Sequence, residues 1–356
     1  MDRLKLNSYL PQLDGEISVP GLASDVDIFR DQYGIPHVHA ESRLDAYFGQ
    51  GFVTAQDRLW QMEYDRLRGS GRWAEIAGIS ALDQDKTVRK FGLRRSAERD
   101  YHELNKPTQA IFQAYAHGVN AFINTADALP PEYDLCDLRP EKWEPWHGLI
   151  IYKIRHILMG LFESKLWRYT LSKEIGAEKT AALFPQYKDS DFLILPPGHR
   201  YSEKLSHLAE ELENALRVLN PNHESDSGSN SWVLSGALTE TGLPILAGDS
   251  HRALDTPNVY YQNHMRCPEF DVIGLSFPGI PAFPHFGHNE SVAWSVTHTF
   301  ADYQDIYVEE FNPDNDSMYR SQNGWETASE SQEVFAIRDH APETMKVWTT
   351  QHGPII

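Results

Sequence analysis

The segment Gly228–Trp232, which reads Gly-Ser-Asn-Ser-Trp, holds the residue of this chain best suited to nucleophilic chemistry. It follows a polar loop, His223–Ser227, and leads into a strand-like run that begins at Trp232. Cleavage of the bond between Gly228 and Ser229 would give Ser229 a free α-amino group, whose reference pKa of about 7.7–8.0 suits a general base near neutral pH. Ser229 would then supply both nucleophile and base. The composition alone also fits an ordinary flexible turn.

Short motifs on both sides of Ser229 occur in the order found in one enzyme family. They occupy Asp31–His37, Gln56–Met62, Gly71–Glu75, Leu246–His251, Gly287–Asn289, Val292–Thr297 and Ala301–Asp305. Together with Gly228–Trp232 they resemble the penicillin acylase family of N-terminal-nucleophile (Ntn) hydrolases, which includes acyl-homoserine-lactone and cephalosporin acylases. The resemblance extends from about Asp25 to Ile356. It implies a hydrolase that acts on linear amide bonds.

The resemblance also implies the fold, an α+β Ntn-hydrolase αββα four-layer sandwich with the nucleophile at the start of a central strand. Hydrophobic spacing predicts helices over Arg43–Met62, Pro107–Thr125 and Leu149–Gly176. Strand patterns cover Val26–Arg30, Trp232–Ser235, Pro244–Ala247, Val259–Met265, Val272–Leu275 and Val292–Val296. Because relatives continue well past this point, we expect the sandwich to be incomplete at the C-terminus.

Processing at Ser229 would divide the chain into three parts. Residues 1–200 are predicted to be an α-chain-like, largely helical region. Residues 201–228 combine a charged amphipathic helix, Tyr201–Val218, with a polar loop, and are predicted to be a spacer that processing removes. The alternative for this stretch is a surface helix with a linker. Residues 229–356 would form the truncated N-terminal part of a β-chain, so that one precursor yields an α/β heterodimer.

Composition fits a globular enzyme and argues against two classes of partner. The formal net charge is −19, which disfavours binding to nucleic acid and to anionic lipid surfaces. The two cysteines, Cys136 and Cys267, allow one disulfide at most. No apolar run approaches the ~20 residues of a membrane span, and the first residues lack a signal-like apolar core. As written the chain is predicted to be cytoplasmic, or periplasmic or secreted if a signal has been removed.

Two histidines take catalytic roles by resemblance. His251 corresponds to a residue close to the nucleophile, where an imidazole would tune or orient the terminal amine. A structural histidine is the alternative at that position. His298 corresponds to the residue whose backbone N–H donates to the oxyanion, and the second donor would lie beyond Ile356.

The resemblance assigns four residues to the acyl pocket. Phe286 corresponds to a pocket aromatic, and Leu161 and Phe162 fall near the pocket residues of the α-chain. Arg252 stands where acylases of the benzylpenicillin type have an aromatic residue. This replacement disfavours a benzyl-selective pocket. Aromatic side chains such as these also occur commonly in protein cores.

The resemblance implies a structural calcium ion at the last of these motifs, Ala301–Asp305. It implies no organic cofactor. The implied ligands are Asp302, Gln304 through its carbonyl, Asp305 and an α-chain glutamate, for which Glu163 is nearest; hard oxygen ligands of this kind suit Ca²⁺. The best register instead places Lys165 at the position of that glutamate, which would weaken or remove the site. A solvated acidic loop is the alternative.

The expected reaction is hydrolysis of a small N-acyl amide, such as a β-lactam side chain or an acyl-homoserine lactone, through an acyl-enzyme on Ser229. The main alternative is a catalytically inactive, acylase-like binding protein. A metal hydrolase is a further alternative, because the chain has 16 histidines, including the pairs His37/His39 and His285/His288. Its sequence contains no His-Glu-x-x-His motif or comparable ligand spacing.

Overall fold

The computed structural model describes residues 6–157, 162–183, 228–252, 254–298 and 303–356. They form a mixed helix and sheet fold that divides into two compact units. The first unit contains the described residues up to 155, from 228 to 298 and from 335 to 343. The second contains the described residues from 156 to 183, from 303 to 334 and from 344 onward. The predicted spacer helix Tyr201–Val218 lies outside the described residues.

Helices dominate the part of the chain before Leu183. They are α1 (Arg43–Ser70), α2 (Ala74–Ala77), α3 (Leu82–Phe91), α4 (Leu93–Glu103), α5 (Lys106–Thr125), α6 (Pro131–Cys136), α7 (His147–His156), α8 (Phe162–Ile175) and α9 (Ala177–Leu183). The predicted helices Arg43–Met62 and Pro107–Thr125 are confirmed as α1 and α5. The prediction of one helix over Leu149–Gly176 is wrong, because α7 ends at His156 and α8 begins at Phe162.

Most of the described strands follow residue 228. The strands are β1 (Val26–Arg30), β2 (Pro36–Ala40), β3 (Gly228–Leu234), β4 (Ile245–His251), β5 (Tyr261–Cys267), β6 (Phe270–Ser276), β7 (Phe286–His288), β8 (Ala293–Trp294), β9 (Phe311–Asn312), β10 (Asn315–Ser321), β11 (Gly324–Thr327), β12 (Ser329–Phe335), β13 (Glu343–Thr350) and β14 (Gly353–Pro354). The predicted strand Val292–Val296 shrinks to β8, because the residues after Trp294 leave the sheet.

The first unit contains a six-stranded sheet with the order β1-β2-β5-β6-β7-β8 and a separate pair, β3 with β4. Strands β2 and β5 run parallel, with His37 opposite His264, whereas the other neighbours in the six-stranded sheet are antiparallel. The parallel pairing joins a strand that precedes residue 229 to one that follows it. Three-stranded sheets with the orders β11-β10-β9 and β12-β13-β14 contain the later strands.

The core of the first unit lies between the six-stranded sheet and two long helices. Val38 of β2 and Tyr261 of β5 belong to the same buried cluster as Phe52 of α1 and Val119 of α5. Helix α5 approaches α1 so closely that a Cβ on Gly118 would lie 1.9 Å from the carbonyl oxygen of Phe48. Only glycine fits there, so the two helices and the sheet form one packed scaffold.

Side chains at the helix termini account for where these two helices begin. Ser42 precedes α1, and its hydroxyl accepts a hydrogen bond from the backbone N–H of Asp45 at 3.2 Å. Asn105 precedes α5, and its side-chain oxygen accepts from the N–H of Thr108 at 2.9 Å. Such caps satisfy N–H groups that have no partner within the helix.

Both cysteines are free thiols. Within the ranges that the structure describes, no helix combines the length and apolar character needed to cross a membrane.

Candidate active site

Ser229 is the second residue of β3, and strand pairing determines which way its side chain faces. Strand β3 pairs with β4 in antiparallel register, from Gly228 opposite His251 to Leu234 opposite Ile245. Because side chains alternate along a strand, Ser229 and its partner Ser250 share one face of the pair. Residues 228, 230, 249 and 251 lie on the opposite face.

The hydroxyl of Ser229 contacts the segment that follows β8. Its Oγ lies 2.7 Å from Oγ1 of Thr297, and the backbone N–H of His298 donates to the same Oγ at 3.2 Å. The Thr297 hydroxyl also donates to the carbonyl oxygen of Ser229 at 3.2 Å. The predicted nucleophile and the predicted oxyanion donor are therefore in direct contact, although 69 residues separate them in sequence.

A glycine in β4 allows this close approach. Ser231, two residues after Ser229 on the same face, has its Oγ 2.5 Å from Oγ of Ser295. A Cβ on Gly248, the partner of Ser231, would lie 2.6 Å from Cβ of Ser295 and 3.2 Å from the Phe286 ring. Real Cβ atoms do not approach so closely, so Gly248 lets the strand pair pack against residues 295–298.

His251 lies beside the bond that processing would cleave. Its Nδ1 is 3.0 Å from the point where a Cβ on Gly228 would lie. Its Nε2 is 3.2 Å from Nδ2 of Asn230 and 3.0 Å from Oδ2 of Asp249. A protonated Nε2 donates to the carboxylate, whereas an unprotonated Nε2 accepts from the amide, so either protonation state satisfies one of the two contacts.

An aromatic cluster lies next to Ser250, which is paired with Ser229 and shares its face. The Ser250 hydroxyl donates to the hydroxyl of Tyr260 at 3.4 Å. The Tyr260 ring stacks on Phe277 with centroids 4.9 Å apart and meets Phe286 edge-on at 5.3 Å. His285 packs against Phe277 at 4.7 Å. The predicted pocket residue Phe286 thus belongs to an aromatic cluster next to the Ser229–Ser250 pair.

The other predicted pocket residues are only partly placed. Arg252 directly follows β4 and is half-buried. Leu161 lies outside the described residues. Phe162 is the first residue of α8, and its side chain lies outside the described part, as does that of Glu163.

The oxygen atoms predicted to bind calcium contact a lysine. Asp302 lies outside the described residues. In the second unit, Nζ of Lys165 donates to the carbonyl oxygen of Gln304 at 2.6 Å and lies 3.0 Å from Oδ1 of Asp305. The same Oδ1 accepts from the N–H of Ile306 at 2.9 Å. The described donor set therefore already holds one cation, the ammonium group of α8.

The remaining histidines do not assemble a metal site in the ranges that the structure covers. His37 and His264 share a hydrogen bond of 2.8 Å between their Nδ1 atoms, and Nε2 of His264 lies 2.7 Å from Oδ1 of Asp271. Burial, followed by the charge of His264, lowers the pKa of His39. No group of three or more His, Cys, Asp or Glu side chains among the described residues is arranged to hold a metal ion. The metal-hydrolase alternative therefore gains no support from this part of the chain.

Sequence reasoning does not identify Thr297, Ser295 or Tyr260. Ser295 and Thr297 lie in the motif Val292–Thr297, which assigns them no role, and Tyr260 lies in none of the motifs. Each reaches the face of Ser229 only through tertiary structure. Position is a further signal, because Thr297 directly precedes the residue to which the resemblance assigns an oxyanion donor.

Comparison with known proteins identifies similar chains. The family model described as penicillin amidase matches residues 25–356. The penicillin acylase 2 proenzyme of Pseudomonas sp. (strain SE83) is 39% identical over 360 residues, which cover 100% of this chain and 46% of that protein. The acyl-homoserine lactone acylase QuiP of Pseudomonas aeruginosa is 31% identical, with coverage of 98% and 42%. The chain thus spans about half the length of the curated relatives it matches.

Among solved structures, the chain is similar to a thermostable penicillin G acylase from Alcaligenes faecalis in tetragonal form. The identity is 30%, and the match covers 50% of this chain and 98% of the solved chain. The TM-score is 0.38.

The contact at Gly248 yields a prediction about stability. Gly248→Ala places a methyl group against Ser295, and crowding of this kind typically costs about 1–3 kcal/mol. We expect the free energy of unfolding to fall by that amount in chemical denaturation. Glu240→Ala, at an exposed position between β3 and β4, is the control and should change it by less than about 0.5 kcal/mol. Equal stability of both variants would show that the strand pair does not pack against residues 295–298.

Proposed function

Because the chain belongs to the penicillin amidase family, we propose that it is an acylase that hydrolyses the linear amide bond of a small N-acyl substrate, with Ser229 as nucleophile. One observation carries the proposal. At the start of β3, Oγ of Ser229 lies 2.7 Å from the Thr297 hydroxyl and accepts the His298 N–H at 3.2 Å. Acyl transfer requires a nucleophile, a base and donors aimed at the developing oxyanion, and this contact brings a serine hydroxyl together with one candidate N–H donor.

The first proposed step is cleavage of the chain itself. Oγ of Ser229 attacks the carbonyl carbon of Gly228, a C–O bond forms, the C–N bond breaks, and the hydroxyl proton ends on the nitrogen. Water then hydrolyses the resulting ester and leaves a carboxylate on Gly228. Glycine at this position suits the step, because a Cβ there would crowd the His251 ring at 3.0 Å. The name of the Pseudomonas relative, a proenzyme, agrees with a processed precursor.

Cleavage at this bond would divide the chain into the three proposed parts. Residues 1–200 would become part of one polypeptide, 201–228 the spacer, and 229–356 the beginning of the second polypeptide. The two products would remain together as a heterodimer. The pairing of β2 with β5 supports this, because it joins the two sides of the cleavage site within one sheet.

In turnover, the released α-amino group of Ser229 would act as the base. It would accept the Oγ proton through a bridging water while Oγ attacks the substrate carbonyl carbon. The tetrahedral intermediate expels the amine, which takes up a proton, and water then releases the acid from the acyl-enzyme. His298 suits the role of oxyanion donor, because its N–H already contacts Oγ and the oxyanion is bonded to the same carbon as Oγ. The loss of one such donor typically lowers kcat about 10²–10³-fold.

We propose that His251 supports the site and that the six-stranded sheet belongs to a larger fold. His251 would hold the edge of β3, since its Nε2 lies 3.2 Å from Nδ2 of Asn230 and its ring lies where a side chain at Gly228 would point. The six-stranded sheet, with α1 and α5 on one face, would form two of the layers of an αββα sandwich. Support for these layers comes from the buried cluster that Val38 and Tyr261 share with Phe52 and Val119.

The substrate class follows from the relatives and from Arg252. The two relatives are named for penicillin and for acyl-homoserine lactones, both small molecules with a linear amide. A guanidinium in the pocket would lose hydration against a purely apolar acyl group, unless its long stem lets the charged head reach solvent. We therefore propose a preference for a polar or acidic acyl group, or for a long aliphatic chain, over phenylacetyl.

Replacing Arg252 tests this preference. In the full-length protein, Arg252→Leu should raise kcat/KM for phenylacetyl amides relative to glutaryl amides about tenfold, which corresponds to ~1.4 kcal/mol. Arg266→Leu, which removes an exposed arginine of β5, is the control and should leave the ratio unchanged. An unchanged ratio in Arg252→Leu would place this residue outside the pocket.

A catalytically inactive, acylase-like binding protein is the competing function. It would need neither cleavage at Gly228 nor the hydroxyl of Ser229. Among the described residues, Oγ of Ser229 contacts the Thr297 hydroxyl and the His298 N–H, an arrangement for which a binding role has no use.

Substitution of the nucleophile separates the two functions. In the full-length protein, Ser229→Ala should remain one uncleaved chain, and Ser229→Cys, which keeps a nucleophile, should be cleaved. Ser231→Ala is the matched control on the same face of β3 and should be cleaved like the wild type. Chain separation on a denaturing gel and intact mass report the result. Cleavage of Ser229→Ala at the wild-type rate would rule out the proposed mechanism.

A further inference from the structure

Thr297 contacts Ser229 at two points. Its Oγ1 lies 2.7 Å from Oγ of Ser229 and also donates to the carbonyl oxygen of Ser229 at 3.2 Å. We propose that Thr297 is a positioning residue that sets the orientation of the Ser229 hydroxyl for attack on the Gly228 carbonyl. This inference rests on the proposed role of Ser229 as nucleophile.

The count of protons assigns a direction to each hydrogen bond. The Thr297 hydroxyl has one hydrogen and the carbonyl oxygen of Ser229 can only accept, so both contacts are made together only when that hydrogen goes to the carbonyl. The short contact of 2.7 Å then requires the Ser229 hydroxyl to donate to Oγ1 of Thr297. The His298 N–H occupies one lone pair of Oγ. Among the described residues this leaves one lone pair of Oγ, and it is the pair available for attack.

The contact also connects the hydroxyl to a fixed part of the backbone. The carbonyl group of Ser229 belongs to β3, which pairs with β4 on both sides of this residue. Threonine is β-branched and has few side-chain rotamers, so Oγ1 has little freedom once it donates to that carbonyl. Because cleavage leaves the Ser229 carbonyl in place, the same hydrogen bond can persist in the processed enzyme.

The size of the effect follows from the importance of orientation. Displacement of a reacting group by about 1 Å can lower a rate about 10²-fold. We expect loss of the Thr297 hydroxyl to slow chain cleavage about 10- to 100-fold. In the processed enzyme, kcat should fall while KM changes little, because Thr297 acts on the nucleophile.

Two complementary substitutions distinguish orientation from packing. Thr297→Val keeps the volume and removes the hydroxyl, whereas Thr297→Ser keeps the hydroxyl and removes the methyl group. We expect Thr297→Ser to be cleaved at close to the wild-type rate and Thr297→Val to be cleaved slowly. The reverse order would assign Thr297 a packing role and overturn the inference. If Thr297→Val does not fold, Thr297→Ser and Thr297→Ala provide the same comparison, and equal cleavage rates would overturn it.

Parallel measurements on the wild type and on Ser229→Ala separate this inference from the proposed function. If the wild type is not cleaved, the proposed function fails. If the wild type is cleaved, Ser229→Ala is not, and Thr297→Val matches the wild type, only the role of Thr297 fails.

A second inference comes from an independent contact in the other unit. Lys165 is 24% exposed, and its ammonium group lies within 3.0 Å of both the Gln304 carbonyl oxygen and Oδ1 of Asp305. These are two of the oxygen atoms to which the family resemblance assigns a calcium ion. We infer that the ammonium group of Lys165 takes the place of that divalent cation.

Charge and space both oppose a calcium ion beside Lys165. Calcium binds oxygen atoms at about 2.3–2.6 Å, so an ion on these two oxygens would lie close to Nζ of Lys165. Two cations at such a separation repel each other strongly. Asp305 also accepts the N–H of Ile306 at 2.9 Å, so the loop is held by hydrogen bonds that need no metal.

Thermal unfolding of the full-length protein with added Ca²⁺ or with EDTA tests the exchange. The Tm of the wild type should be the same in both conditions, whereas Lys165→Glu should unfold at a higher temperature with Ca²⁺ than with EDTA. Lys173→Glu, on the same helix, is the control and should show no calcium dependence. Loss of wild-type stability in EDTA, restored by Ca²⁺, would overturn the inference. Absence of any calcium effect in Lys165→Glu would also overturn it, and Lys165→Gln replaces that variant if it does not fold.

Discussion

The antiparallel pairing of β3 with β4 is the constraint on which the candidate site depends. Its register places Ser229 and Ser231 on the face that contacts residues 295–298, and places Asn230 on the other. A shift of one residue would exchange the two faces, so Asn230 would occupy the position of Ser229. The side of β3 on which the hydroxyl lies is therefore a property of the sheet and not of the serine alone.

The groups that contact Ser229 are attached to the main scaffold of the first unit. Residues 295–298 follow β8, which pairs with β7 at the edge of the six-stranded sheet, and the Trp294 indole donates to the carbonyl of Pro284 at 2.9 Å. That sheet packs on α1 and α5 through the cluster containing Val38 and Tyr261. The positions of Thr297 and His298 thus depend on packing far from the nucleophile, which fits a site that must be organised before any bond is cut.

Much of the fold could be predicted from the sequence wherever local signals agree with the tertiary structure. The helical spacing of Arg43–Met62 correctly predicts α1, although α1 continues to Ser70. The strand predicted over Val292–Val296 fails beyond Trp294, where the side chains of Ser295 and Thr297 and the N–H of His298 contact β3. Periodicity records which residues are buried. It contains no information about such a choice of partner.

The site itself could be predicted only in part, and the reason is sequence distance. Ser229 is identifiable from its local context, and His298 through resemblance to the family. Thr297 lies in the motif Val292–Thr297, but its role could not be predicted, because its contacts join residues 68 positions apart. The contact of Lys165 with Gln304 and Asp305 is also between residues far apart in sequence. Alignment of α8 with the family places Lys165 at the position of the expected glutamate. Only tertiary structure brings its ammonium group to those oxygens.

The central claim is that Ser229 is a nucleophile that first acts on its own chain. Intact-mass spectrometry of the purified full-length protein, combined with N-terminal sequencing, tests it most directly. The account predicts two polypeptides that copurify, one of which begins at Ser229. A single polypeptide with the Gly228–Ser229 bond intact in an active preparation would contradict it, as would a second chain that begins at any other residue.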